Sequence, residues 1–136
     1  MAVERKTTKR KNAAADAPTV SEYGRLQPQA MELEEAVVGA CLIEKDAFGT
    51  VSDILKPASF YDSKHQVIFA AIQTLAAENK PVDILTVTDQ LRKTGDIDNA
   101  GGPFYVAELS RKVLSSAHIE YHANIIAQKA LARELI

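Results

Sequence analysis

Three histidines, His65, His118 and His122, are the first residues of this chain that could do chemistry. His118 and His122 stand four apart, so a helix places both on one face, as metal-binding histidine pairs are placed. The segment reads His-Ile-Glu-Tyr-His. In a zinc protease the glutamate directly follows the first histidine. Glu120 sits two positions on, which turns it to the opposite side, and no third ligand is evident. Two surface or interface histidines are the better reading. No serine lies in a Gly-x-Ser-x-Gly turn, so no nucleophile elbow is offered. Cys41 falls within the most apolar stretch and reads as a small core residue, because a reactive thiolate needs a polar, partly open site. Asp96 and Asp98 are two carboxylates in a loop, where turn chemistry is their usual role. Glycines stand at 24, 39, 49, 95, 101 and 102, and none is followed by lysine, so a phosphate-cradling P-loop is absent. Gly101-Gly102 before Pro103 reads as a helix entry. The expectation is no catalytic, cofactor-binding or metal-binding residue.

Composition points the same way. The chain has 136 residues, 46% hydrophobic and 25% charged, with a net charge of −2. That total hides an asymmetry: residues 1–20 carry five basic against two acidic side chains, and residues 21–136 carry 11 against 16. An acidic body argues against a main surface that grips duplex DNA, which needs concentrated positive charge. A single cysteine excludes an intrachain disulfide framework and fits a reducing compartment. The longest apolar run, Ala36 to Ile43, is far shorter than the ~20 residues of a membrane span. No apolar segment follows the N-terminal charges, so no secretory signal is visible.

The elements follow from periodicity. Residues 1–25 hold few sizeable apolar side chains and read as a disordered basic tail, solubilising or touching nucleic acid. The folded part, residues 26–136, is expected to be all-α: a compact bundle of about six helices. Pro28 suits a first turn, and Glu32, Glu34 and Glu35 read as acids complementing a helix dipole. A helix over 29–44, apolar on all sides, is the central one. Gly39 within it costs roughly 1 kcal/mol against Ala, so close approach of another helix is expected there. Asp46 would cap a second helix to about Leu55, ended by Pro57. Asp62 or Ser63 would cap a third, from Lys64 to about Glu78, with Asn79 at its end. Asp83 would cap a fourth, Ile84 to about Thr94, lined by Ile84, Val87 and Leu91 and stopped by Gly95. Its β-branched first half leaves a strand alternative. A fifth runs from Pro103 to Arg111, with Phe104 and Leu109 as core residues. Ser115 or Ser116 would cap the last.

That last helix carries more apolar surface than one docking stripe needs. Ile119, Ala123, Ile126 and Ala130 share one face, while Tyr121, Ile125, Ala132 and Ile136 lie largely off it and Leu131 and Leu135 widen the band. A second apolar surface implies another partner: a neighbouring subunit, or a helix beyond these residues. The sequence stops mid-pattern at Ile136, and the expectation is a fragment of a longer protein.

Four segments then carry a family resemblance. Leu26-Gln27-Pro28-Gln29-Ala30-Met31-Glu32-Leu33-Glu34-Glu35-Ala36-Val37-Val38-Gly39 resembles the opening of the N-terminal domain of the bacterial replicative DNA helicase, the DnaB type. Phe60-Tyr61 with His65-Gln66-Val67-Ile68-Phe69, Pro81-Val82-Asp83-Ile84-Leu85-Thr86-Val87, and Gly101-Gly102-Pro103-Phe104-Tyr105-Val106-Ala107-Glu108-Leu109 resemble three further segments of it, in order and at the right spacing. Gln27 replaces a usual proline, and Ser115-Ser116-Ala117-His118 departs from the usual entry to the last helix.

The resemblance implies a helical domain that leads to a hairpin and then to an ATP-dependent motor, neither of which is in this chain. ATP and Mg belong to that motor. It implies pairing of these domains into dimers within a hexamer, binding of the primase C-terminal domain, contact of the ring with a helicase loader in some species, and DNA bound mainly by the motor. It implies a cytoplasmic protein at the nucleoid replisome, with no membrane partner. Positions matching the family's primase-contact region are Tyr105, Arg133 and Ile136. Each has a plainer reading: a core residue, a solvated charge at a helix end, and packing against the hairpin. A nucleic-acid-binding module acting through the basic tail is the alternative function.

Overall fold

The computed structural model describes residues 28–113 and 116–135. The expected basic tail, the start at Leu26, Ser115 and Ile136 lie outside the described residues, while Ser116, the other cap expected for the last helix, lies instead in a 3-10 turn, and that helix starts after His118 with no side-chain cap. Within them six α-helices follow one another: α1 Pro28–Ile43, α2 Ala47–Val51, α3 Ser63–Ala77, α4 Ile84–Thr94, α5 Gly102–Leu109 and α6 Ile119–Glu134. Two single 3-10 turns, Pro57–Ser59 and Ser116–His118, precede α3 and α6. No strand occurs among the described residues, and Ile84 to Val87 is helical.

α1 is the axis of the bundle and touches all five other helices. That is the outcome its sequence demands: Val37, Val38, Ala40, Cys41 and Leu42 are each at most 2% exposed, so the helix has no wet side along this stretch. Gly39 meets the C-terminal end of α5. A Cβ there would overlap the carbonyl oxygen of Leu109 and come within 2.9 Å of a Val113 methyl. The close approach expected from an unfavourable mid-helix glycine is therefore made, backbone against backbone.

The ends of the helices are set by local chemistry. Asp62 accepts the Lys64 N–H at 2.9 Å and starts α3. Asp83 accepts the Thr86 N–H at 2.8 Å while Thr86 Oγ1 accepts the Asp83 N–H at 2.9 Å, a reciprocal box that starts α4. Asn79, at φ 60°, closes α3, with the Lys80 N–H donating to the Leu75 carbonyl. Gly95 closes α4 in the same way, the Asp96 N–H reaching the Leu91 carbonyl.

Three expectations are corrected. Asp46 makes no side-chain cap, and α2 ends at Val51, four residues before Leu55. Gly49, Thr50 and Ser52 are poor helix formers, and the chain turns so that Leu55 can be buried fully. Phe104 is not a core residue: it is 77% exposed, and Val106 and Leu109 supply the inward face of α5. α5 is only eight residues long, and Phe104, its third residue, lies on the side of the helix away from Val106 and Leu109, so the inward stripe leaves it in water. Glu34 is not a dipole-complementing acid either. It lies beyond the first turn of α1 and is buried to 1% exposure.

α6 docks by the stripe read from its sequence. Ile119, Ala123, Ile126 and Ala130 are its buried residues, packed on α1, α2 and the turn before α3. Tyr121, Leu131 and Leu135 are 67%, 59% and 81% exposed.

Candidate docking surface and the buried network beneath it

Tyr105 and Arg133 sit at the surface over the N-terminal end of α3. Tyr105 projects from α5 and is half-buried, packed against the edge of the core. Its hydroxyl lies 2.7 Å from His65 Nε2 on α3. The two rings stack, with centroids 6.0 Å apart and 16° between planes. Lys64 Nζ stands 4.9 Å from the tyrosine centroid, within cation–π range. The turn before α5 helps: a Cβ on Gly101, at φ 94°, would crowd Tyr105 Cβ and Cδ2 at 3.0 Å, so only glycine lets the ring lie there.

His65 is 0% exposed, and its other nitrogen, Nδ1, is 2.8 Å from Glu34 Oε1 on α1. Glu34 also accepts the Tyr61 N–H at 2.7 Å and the Asp62 N–H at 3.3 Å. A carboxyl that takes two backbone donors takes a third from the ring, so Nδ1 carries the hydrogen. In the neutral imidazole Nε2 then accepts from the Tyr105 hydroxyl. No buried side-chain nitrogen or oxygen among the described residues lacks a partner, which is what makes a buried carboxylate tolerable. Burial pushes the Tyr105 hydroxyl above the ordinary phenol range, and the carboxylates of Glu35, Asp62 and Glu34 push it further.

Arg133 reaches the same region from α6. Its guanidinium lies 5.4 Å from the Tyr61 ring centroid, and Nη2 donates to the Ser59 carbonyl at 3.1 Å. Arg133 is therefore pinned and half-buried, not a freely solvated charge. Both tyrosines answer to one carboxylate: Tyr61 through its backbone and Tyr105 through His65. Ile136 lies outside the described residues.

Sequence reading did not find Glu34, His65 and Tyr61 as a unit. One signal was present. Glu34 shares helical spacing with Ala30, Val37, Val38 and Cys41, all buried, so an acid stood on an otherwise apolar face.

The remaining chemistry-bearing residues lie elsewhere. His118 and His122 do share a face, with ring centroids 6.4 Å apart. No group of three or more His, Cys, Asp or Glu that could hold a metal occurs among the described residues. Cys41 is a core residue, its thiol pushed up to about 12 by burial. Asp96 and Asp98 build the turn before α5, their carbonyls accepting the Ala100 and Gly101 N–H groups. No described helix is long and apolar enough to cross a membrane.

Comparison with known proteins bears on the family and the fold. The family model of the DnaB-like helicase N-terminal domain matches residues 26–128. Among curated relatives, the replicative DNA helicase DnaB of Rhodothermus marinus is 53% identical over 110 residues, covering 81% of this chain and 12% of that protein. The DnaB of Geobacillus stearothermophilus is 39% identical over 112 residues, covering 82% of this chain and 25% of that protein. The chain thus spans a quarter or less of the length of these relatives. Among solved structures, the N-terminal domain of DnaB helicase from Mycobacterium tuberculosis aligns with a TM-score of 0.74 at 36% identity, covering 77% of this chain and 76% of that one. A DnaB-like replicative helicase, solved in a study of its interactions with primase, aligns at 0.68 and 25% identity, covering 76% of this chain and 24% of that one. The family model covers residues 26–128 and the solved domain shares the fold at 36% identity, so the chain belongs to the DnaB-like helicase N-terminal domain family.

Proposed function

We propose that residues 26–136 form the assembly and docking domain of a replicative DNA helicase. The domain pairs with further copies of itself within a hexamer and takes up the C-terminal domain of primase. In that role it is no enzyme. Unwinding, with its ATP and Mg, belongs to the motor of the full-length protein, since no glycine in this chain is followed by lysine as a P-loop requires. DNA is bound mainly by that motor, and the helicase loader meets the assembled ring. The working place is the cytoplasmic replisome at the nucleoid.

The observation that carries this reading is the bare second face of α6. A helix that has already buried Ile119, Ala123, Ile126 and Ala130 still exposes Tyr121, Leu131 and Leu135. Leu131 and Leu135 stand one helical turn apart as an exposed apolar pair, with Tyr121 on the same helix, and exposed apolar side chains of this size point to an interaction surface. Tyr105, Arg133 and Ile136 are the proposed primase contacts. Tyrosine and arginine are the residue types that dominate interface energetics, and both described ones are already held in place.

Light scattering at a series of concentrations tests the assembly, and titration with the cognate primase C-terminal domain tests the docking. A concentration-dependent dimer that Leu131→Ser with Leu135→Ser abolishes is the expected result. A strict monomer that also fails to bind primase would overturn the proposal.

A further inference from the structure

A buried imidazole–carboxylate pair, His65 and Glu34, lies under Tyr105. A leucine or phenylalanine would fill the His65 site without the desolvation that a ring and a carboxylate both suffer. What an apolar residue could not do is bridge. The imidazole offers two hydrogen-bonding atoms at a fixed separation, and here one meets Glu34 Oε1 at 2.8 Å and the other the Tyr105 hydroxyl at 2.7 Å. The polar chain starts at the central helix and ends at the surface.

We propose that His65, held by Glu34, is a positioning residue that fixes Tyr105 as a ready-formed contact for primase. This rests on the reading of Tyr105 as a docking residue. The physical reason is preorganisation: a side chain that is ordered before its partner arrives loses less freedom on binding. Tyr105 sits on a helix of only eight residues entered through a Gly-Gly turn, so its own element gives it little support. Its order comes from neighbours on α3: the stack and hydrogen bond with His65, and Lys64 over the ring at 4.9 Å.

Two readouts separate positioning from a merely structural role. One is primase affinity, measured by calorimetry with the cognate C-terminal domain. The other is ring-flip exchange of Tyr105 in the free chain, measured by aromatic NMR. His65→Asn keeps a donor near the Nδ1 site for Glu34 but falls short of Tyr105. His65→Gln extends toward Tyr105. Tyr105→Phe keeps the ring and removes the anchor. His65→Asn and Tyr105→Phe should each weaken primase binding by about two- to tenfold, the worth of one net hydrogen bond, and speed the ring flips. The double variant should be no worse than either single one, and His65→Gln should recover part of the affinity. Lys93→Ala, remote on α4, should bind as the parent does.

If Tyr105→Ala binds primase within twofold of the parent, the docking reading of Tyr105 fails. If Tyr105→Ala is weak while Tyr105→Phe binds normally with unchanged ring flips, the docking reading stands and the positioning role is overturned. Should His65→Asn not fold, Tyr105→Phe decides alone, because it deletes a single oxygen at the half-buried edge.

Discussion

Two glycines inside helices should respond to alanine with opposite signs. By helix propensity alone, replacing either Gly39 or Gly49 by alanine stabilises the chain by up to about 1 kcal/mol. Around Gly49 nothing lies within 4 Å of the added Cβ, so Gly49→Ala should keep that gain. At Gly39 the Cβ would overlap the Leu109 carbonyl oxygen, with the Leu109 carbonyl carbon at 3.0 Å and a Val113 methyl at 2.9 Å. Overpacking costs about 1–3 kcal/mol, and sometimes more. The obstacle here is backbone, which cannot change rotamer, so the upper end applies. Subtracting the propensity gain leaves Gly39→Ala about 2 kcal/mol less stable. For a domain of this size that lowers Tm by roughly 8 °C or more, readable in a thermal scan by circular dichroism. Adding Val113→Ala should restore little, because it removes the methyl and leaves the carbonyl. A Gly39→Ala protein that melts at or above the parent temperature would refute the argument, and with it the close packing of α1 on α5.

Further outcomes are expected. Cys41, buried and with its thiol pushed up to about 12, should resist alkylation in the native chain at pH 8 and react at once in denaturant, followed by mass spectrometry. Asp83→Ala removes the reciprocal cap of α4 and should cost about 1 kcal/mol, a fall of about 4–8 °C in Tm. Tyr105 should ionise after the other tyrosines in an absorbance titration at alkaline pH. The sign follows from its raised folded value: its contribution is intact below the unfolded phenol value near 10 and fades as pH climbs past it, so Tyr105→Phe should flatten part of the alkaline loss of stability.

What could be read from the sequence was whatever is local. Asp62, Asp83, Asn79 and Gly95 mark helix ends because caps act within four residues, and those ends stand where they were expected. The buried stripe of α6 follows from spacing alone, and so does its unused face. Gly39 betrayed a close approach because nothing local compensates a glycine there. The failures are tertiary. Phe104 has the right type for a core residue, but α5 is too short to bury more than Val106 and Leu109. Asp46 has the right type for a cap, yet α2 starts without using it. Glu34, His65 and Tyr105 are separated by 31 and 40 positions and meet only when three helices pack. No window of sequence contains them together.

Glu34 also bears on the uniqueness of the fold. From Val37 to Leu42 α1 is buried on every side, so apolar burial alone discriminates weakly between screw angles of this stretch. Two residues mark the correct setting: Gly39, which fits against the Leu109 carbonyl, and the Glu34 carboxylate. Only one rotation and one height deliver its oxygens to the N–H groups of Tyr61 and Asp62 and to His65 Nδ1 together. A setting that kept Glu34 buried without those donors would leave a carboxylate unpaired in the core, at a cost of several kcal/mol. A residue that adds little net stability in the correct register can thus act as the key by which the central helix is indexed.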